Sequence, residues 1–342
     1  MKRLAILGAG GSIGRQALDV AARHPARLAV AGLATGSDLE GLAVAARTLV
    51  EAGQAPRWLA LEHAADVAAA GARLAAAVPG AEIRVGAGAA AWLAAPCECA
   101  VVVNGIVGAA GLDASLAALG ARRRLALANK ETLVIGGALV AEALRAGGEL
   151  VPVDSEHSAA LLCLGGRPAA EVARLTLTAS GGPLLRHPDW RRATVAEVLA
   201  HPVWAMGRRI TVDSALLVNK GLELIEAHAL FGIAWDRLDA VLHPQARFHA
   251  IAAFRDGAVV AQAAAADMRL PIQLAISWPE HWSGPVVPVS GVELAGLTFE
   301  AIEAGRFPAF DLLIAAGRAG PEIVISVFPG STSQPASSSL WI

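Results

Sequence analysis

Residues 2–7 (Lys-Arg-Leu-Ala-Ile-Leu) run straight into Gly8-Ala9-Gly10-Gly11-Ser12-Ile13-Gly14. The pattern predicts a short strand, a glycine-rich turn, a helix from about 15 to 23 and a second strand over about 28–33. Strand, tight turn, helix and strand together open a dinucleotide-binding unit, which commits the chain to a parallel sheet with helical crossovers. Glycines allow the tight bend and bring backbone N–H groups to a pyrophosphate at the helix N-terminus. The fingerprint is irregular: Gly8, Gly11 and Gly14 are in step, whereas the G-x-G-x-x-G register puts Ile13 at its last glycine. After the second strand, Ala34-Thr35-Gly36-Ser37-Asp38 offers small and hydroxyl residues. These leave room for a 2′-phosphate, although Asp38 would repel one if it pointed inward.

The remainder of the first half alternates Ala-rich helices with short apolar strands. Residues 99–103 read as a strand ending in a second small-residue crossing, Asn104 to Gly111. Residues 125–128 read as another, carrying Asn129-Lys130-Glu131-Thr132 at its carboxyl end. Ligands of open α/β sheets bind at that end, so Lys130 is either a substrate contact or charge stabiliser, or an exposed helix-start residue. A net charge of −2 with no basic stripe argues against nucleic acid as the main partner. Three cysteines (Cys97, Cys99, Cys163) without repeated spacing make neither a disulfide framework nor a four-ligand zinc site. No uncharged apolar run reaches membrane-span length, and the start lacks a signal-peptide pattern; the expected location is the cytoplasm.

Val151-Pro152-Val153-Asp154-Ser155-Glu156-His157 carries two carboxylates two residues apart. Read as an extended chain, it aims both at one point. Such a pair is costly to bury without a cation, and hard Mg²⁺ or Mn²⁺ suits oxygen ligands. The alternative is a solvated polar loop. Residues 172–178 alternate like a half-buried strand and end in Ala179-Ser180-Gly181-Gly182-Pro183, a plausible anion nest. Residues 184–209, whose Trp and Met are too apolar for disorder, read as a lid. Past Ser214 a helix puts Asn219 and Glu223 on one face with Lys220 beside them. Residues 239–262 are expected to hold two strands, with His243 and His249 on the first. Residues 322–328 are a possible strand, and 331–339 are Ser-rich.

Five segments in order resemble the 1-deoxy-D-xylulose 5-phosphate reductoisomerase family. They are Leu-Ala-Asn-Lys-Glu-Thr (127–132), Val-Pro-Val-Asp-Ser-Glu-His (151–157), Ala-Ser-Gly-Gly-Pro (179–183), His-Pro-Val-Trp-Ala-Met-Gly (201–207), and Thr-Val-Asp-Ser-Ala with Asn-Lys-Gly-Leu-Glu (211–223). The resemblance implies an α/β chain. A Rossmann-like doubly wound parallel sheet (1–150) binds NADPH. An α+β catalytic and dimerisation domain (151–285) with a lid (180–209) follows, then a linker and the start of a C-terminal region (286–320). It implies Asp154, Glu156 and Glu223 as ligands of Mg²⁺ or Mn²⁺, and Lys130 and Ser155 as substrate contacts. Ser180, His201, Ser214, Asn219 and Lys220 would hold the substrate's phosphate end and the lid. Gly10, Gly11, Ser12, Ile13, Gly36, Ser37, Asp38, Asn129, Glu131 and Gly207 would line the NADPH site, with Trp204 and Met206 as the lid's apolar cover. Of these, Lys130, Asp154, Glu156, His201 and Glu223 are the expected catalytic group. The implied activity is metal-dependent isomerisation and NADPH-dependent reduction of 1-deoxy-D-xylulose 5-phosphate by a homodimer, in isoprenoid precursor synthesis.

The chain departs from the family pattern at Gly10, where Thr is usual, and at Ala246, where Ser is usual. Beyond about Arg318 the motifs fade into the Ser-rich tail (321–342). The family's helical C-terminal domain is therefore expected to be largely missing or replaced, with lower stability and weak activity as the consequence. Competing readings are a metal-independent NADP oxidoreductase, an inactive nucleotide-binding relative, and a reductase of another phosphorylated sugar.

Overall fold

The computed structural model describes residues 1–95, 98–204 and 207–320. Cys97, Met206 and everything expected of 321–342 lie outside the described residues. The chain begins β1 (Lys2–Leu7), α1 (Ser12–Arg23), β2 (Leu28–Thr35), α2 (Leu39–Glu51), β3 (Trp58–Leu61), α3 (Val67–Ala77), β4 (Glu82–Val85) and α4 (Ala89–Ala94). It continues β5 (Val101–Asn104), α5 (Gly111–Gly120), β6 (Arg124–Leu127), α6 (Glu131–Arg145) and β7 (Glu149–Pro152). All seven strands are parallel, in the order β4-β3-β2-β1-β5-β6-β7. Helices cover both faces, which is why the central strands read as unbroken apolar runs. Leu4 and Ile6 join one core, with Val101, Val103 and α1; Ala5 and Leu7 join the other, with Val102 and α5. Each fully buried leucine here is worth roughly 1.5–3 kcal/mol.

The strand order reverses between β1 and β5, so the crevice for a ligand opens at their carboxyl ends. A Cβ on Gly8, whose φ is +78°, would lie 2.7 Å from the carbonyl oxygen of Gly105. Only a bare backbone brings the two loops this close. Lys130 and Asp154 follow β6 and β7 on the same edge.

The second unit contains α7 (Ser155–Leu164), β8 (Val172–Ala179), α8 (Val195–Val198), α9 (Arg208–Ala215), α10 (Val218–Phe231), β9 (Leu238–Leu242), β10 (Phe248–Phe254) and β11 (Val259–Ala263). α11 (Arg269–Ser277), β12 (Glu300–Ala301) and α12 (Pro308–Ala319) complete it. Its sheet runs β11-β10-β8-β9-β12, with β8 and β9 parallel and the other pairs antiparallel. α7 and α10 bury Ala159, Ala160, Leu224 and Ala227 against Leu175, Leu177 and Ala250. α11 returns to the first unit: Ile272, Ala275 and Ile276 enter its core, and Gln273 hydrogen-bonds His24 at 2.9 Å.

Three expectations need correction. Residues 239–262 fall in three strands, not two. His243 follows β9 and His249 lies on β10, because the chain turns at 244–247. The helix expected past Ser214 starts at Val218, since Leu217 takes φ +55° and breaks it from α9. Asp154 and Glu156 do not lie on an extended strand. β7 ends at Pro152, and Asp154 caps α7 by accepting from the N–H groups of Glu156 and His157 at 3.2 and 3.4 Å. Capping pulls the chain into a helical turn, and the two carboxylates converge through that turn.

Candidate active site

One cavity of about 850 Å³ runs along the carboxyl edge of the first sheet and under α9 and α10. Of the expected residues it is lined by Gly11, Ser12, Ile13, Asn129, Lys130, Glu131, Asp154, Ser155, Glu156, Ser180, Gly207, Ser214, Asn219, Lys220 and Glu223. Trp204, the expected apolar cover, also lines it. Gly10, Gly36, Ser37, Asp38 and His201 are not among its lining residues.

At the glycine-turn end, α1 is capped by Gly11, which has no side chain to occupy the first-turn N–H groups. Gly14 packs so tightly that a Cβ would lie 2.3 Å from the Gly8 carbonyl oxygen. Asp38 is spent on α2, where its carboxylate accepts from Gly41 N at 2.9 Å. A Cβ on Gly10 would come 2.8 Å from the Asp38 carboxylate, so the usual threonine would meet it. Asn129, 2% exposed, acts largely within the protein: it donates to the carbonyls of Ile106 and Gly108 at 2.7 and 2.8 Å and pins the second crossing loop. Glu131 pairs with Arg209 at 3.2 Å, joining α6 to α9.

At the other end, carboxylate oxygens of Asp154, Glu156 and Glu223 lie within 4.8 Å of one another. Glu223 comes from α10, 67 residues beyond Glu156 in sequence, and is 1% exposed. Lys130 Nζ donates to Asp154 and, at 3.1 Å, to Glu223. Lys220 Nζ donates to Glu223 and pairs with Glu156 at 3.1 Å. Burial and the charges of Asp154 and Glu156 push the Glu223 carboxyl up, against the pull of both lysines. Burial would lower Lys130, but Asp154, then Glu223 and Glu226, hold it well above its ordinary value. Burial would raise Asp154, but Lys130 and His157 hold it well below the usual carboxylate range.

Ser180, His201 and Ser214 form a hydrogen-bonded chain. His201 Nδ1 accepts from Val203 N and Trp204 N at 3.1 and 2.9 Å. Those donors place the proton of the neutral ring on Nε2, which stands 3.1 Å from Ser180 Oγ and 3.2 Å from Ser214 Oγ. Burial lowers the His201 pKa, which favours that neutral form. Gly182 (φ +64°) lets this loop touch α9; a Cβ there would lie 2.7 Å from the Ser214 carbonyl oxygen. The preceding segment is ordered by a capping box between Thr194 and Glu197 and by Arg306, which donates to the carbonyls of Leu184 and His187.

Sequence reasoning gave no role to His157, Glu226 or His249. His157 Nε2 donates to the Glu223 carbonyl oxygen at 2.8 Å. Burial would lower its pKa, but Asp154 and Glu226 raise it to about 9. Burial pushes Glu226 up to about 7. The spacing Asn219, Glu223, Glu226 was a helical stripe visible in the sequence; nothing local marked its last member as buried. His249 lines the cavity edge-on to Trp204, ring centroids 6.2 Å apart.

Comparison with known proteins agrees with this geometry. Models of 1-deoxy-D-xylulose 5-phosphate reductoisomerase match residues 4–137, of its C-terminal domain residues 150–231, and of a further DXP reductoisomerase C-terminal domain residues 264–328, past the point where the motifs fade. The reductoisomerase of Gloeobacter violaceus is 47% identical over 94% of this chain and 81% of its own length; that of Mycobacterium tuberculosis is 45% identical over 93% and 74%. A crystal structure of DOX-P reductoisomerase with NADPH, fosmidomycin and magnesium superposes with a TM-score of 0.88 at 33% identity, over 96% of this chain and 82% of that one. The Zymomonas mobilis enzyme with NADPH gives 0.83 at 33%, over 93% and 82%. With the glycine turn, the carboxylate triad and the serine–histidine chain all on the matched stretches, the chain belongs to the 1-deoxy-D-xylulose 5-phosphate reductoisomerase family.

Proposed function

We propose that this protein converts 1-deoxy-D-xylulose 5-phosphate to 2-C-methyl-D-erythritol 4-phosphate with NADPH and a divalent cation. The single observation that carries the reading is the convergence of Asp154, Glu156 and Glu223 in the cavity that the glycine turn also lines. Both groups fit the residues present. Three convergent carboxylate oxygens are a hard donor set suited to Mg²⁺ or Mn²⁺. The bare α1 N-terminus and the crowding at Gly8 and Gly14 form a backbone cradle suited to a pyrophosphate.

When bound, the cation would polarise the substrate's oxygens during rearrangement, and NADPH would supply the hydride. This chain's residues bind and orient. Asp154, Glu156 and Glu223 would hold the cation, and Lys130 and Ser155 would contact the sugar beside it. Ser180, Ser214, Asn219 and Lys220 would take the phosphate, with His201 Nε2–H fixing the two serine hydroxyls. Gly11, Ser12, Ile13, Asn129, Glu131 and Gly207 would line the coenzyme end; Gly10, Gly36, Ser37 and Asp38 would shape its outer wall. Trp204 would help exclude water during hydride transfer. Residues 1–150 would then serve the coenzyme and 151–285 the chemistry. Pairing of two copies through the second sheet is supported by its edge strand β11, where Val259 is 63% exposed.

A metal-independent oxidoreductase leaves three buried or half-buried carboxylates without a purpose. The test is NADPH consumption with 1-deoxy-D-xylulose 5-phosphate and Mn²⁺. Turnover that EDTA abolishes and Mn²⁺ restores is the expected result; NADPH binding with no turnover would overturn the reading.

A further inference from the structure

Glu226 is 3% exposed, and its Oε2 is buried with no hydrogen-bond partner among the described residues. It lies 3.6 Å from Lys130 Nζ and 3.9 Å from His157 Nδ1. A buried carboxylate oxygen without a donor is costly unless it finds one in a working state of the protein. Lys130 meanwhile donates to Asp154 and Glu223, two of the three oxygen donors that would face a cation. An ammonium held on both carboxylates competes with a dication for their charge and lone pairs. We propose that Glu226 is a positioning residue: the second dock for the Lys130 ammonium, which moves onto Glu226 Oε2 when a divalent cation takes Asp154 and Glu223.

The displacement needed is small. Closing 3.6 Å to a charge-assisted hydrogen bond takes a shift of about 1 Å. Lys220 has no such dock: both carboxylates it pairs with among the described residues, Glu156 and Glu223, belong to the triad. The same event therefore keeps Lys130 beside the cation and frees Lys220 toward the cavity. Glu226 follows Glu223 by three residues on α10, so one rigid helix face carries both a ligand and the dock.

The inference rests on the cation reading above, and the test separates the two. Mn²⁺ affinity of the full chain, without coenzyme or substrate, is measured from the electron paramagnetic resonance signal of free Mn²⁺. The proteins are wild type, E226Q, E226D, K130M and K130M/E226Q. Loss of the dock should weaken Mn²⁺ binding about tenfold in E226Q, because Lys130 then competes for the ligands. E226D keeps the charge but shortens the reach, and should behave like E226Q. In the K130M background the Glu226 change should alter affinity by less than about threefold. Equal losses in both backgrounds, an E226D that binds like wild type, or an E226Q with unchanged affinity would each overturn the dock while leaving the cation site standing. If E226Q does not fold, E226D decides alone. Wild-type protein that binds no Mn²⁺ would overturn the cation reading and this one with it.

Discussion

The glycine turn and the carboxylate centre lie in one cavity but are built from opposite materials. The turn is neutral backbone, contributed by consecutive residues 8–14, and it works by absence: the missing Cβ atoms of Gly8 and Gly14 admit another stretch of main chain, and that of Gly10 admits the Asp38 side chain. The centre is charged side chain, brought from α7, α10 and the start of α6, and it works by balance. Five ionisable groups, Lys130, Asp154, Glu156, Lys220 and Glu223, offset one another through direct ion pairs. The first region should therefore be sensitive to side-chain size and indifferent to charge, and the second the reverse.

The largest effect should break the centre. Asp154→Asn keeps the volume and removes a charge that also caps α7; kcat/KM should fall about a thousandfold and Mn²⁺ binding should be lost. A variant with near wild-type turnover would show that charge at this position is dispensable. Next is the turn. Gly14→Ala adds one methyl and no charge, 2.3 Å from the Gly8 carbonyl oxygen, and should cost about 3 kcal/mol in urea unfolding together with coenzyme affinity. A stable, NADPH-binding variant would break the contrast between the two regions.

The smallest test concerns His249, where cavity wall and charge meet. Burial, with the nearby charge of Lys220, lowers its pKa from 6.5 to about 4. The unfolded chain therefore takes up a proton that the folded chain refuses. The stability contribution is complete above pH 6.5 and is lost as pH falls from 6.5 to 4. The loss should be on the order of 2–3 kcal/mol. Urea midpoints measured across that window should slope less in His249→Gln than in wild type; parallel slopes would mean that other groups carry the acid sensitivity.

The sheet of the first unit was legible because its strands are local apolar runs, and β1 matches its sequence expectation residue for residue. The triad residues were legible as well, but the geometry first ascribed to them was not. An alternating strand and a capped helical turn can both bring residues i and i+2 together, and sequence spacing alone does not separate them. The Asp154 side chain decides it by accepting from the next turn's N–H groups. Likewise, whether Asp38 faced a phosphate or a helix could not be read from its position after β2. It caps α2, and Gly10 is the residue small enough to lie beside it.

The sequence by itself determined the parallel sheet and the glycine turn, because these depend on neighbouring residues and on residue type, and its motifs singled out the three acids that the fold brings together. Only the tertiary structure decided that Lys130, His157 and Glu226 share one buried electrostatic cluster with those acids. Their partners lie on helices far apart in the chain, and burial, which makes charges matter to one another, is a property of the assembled fold.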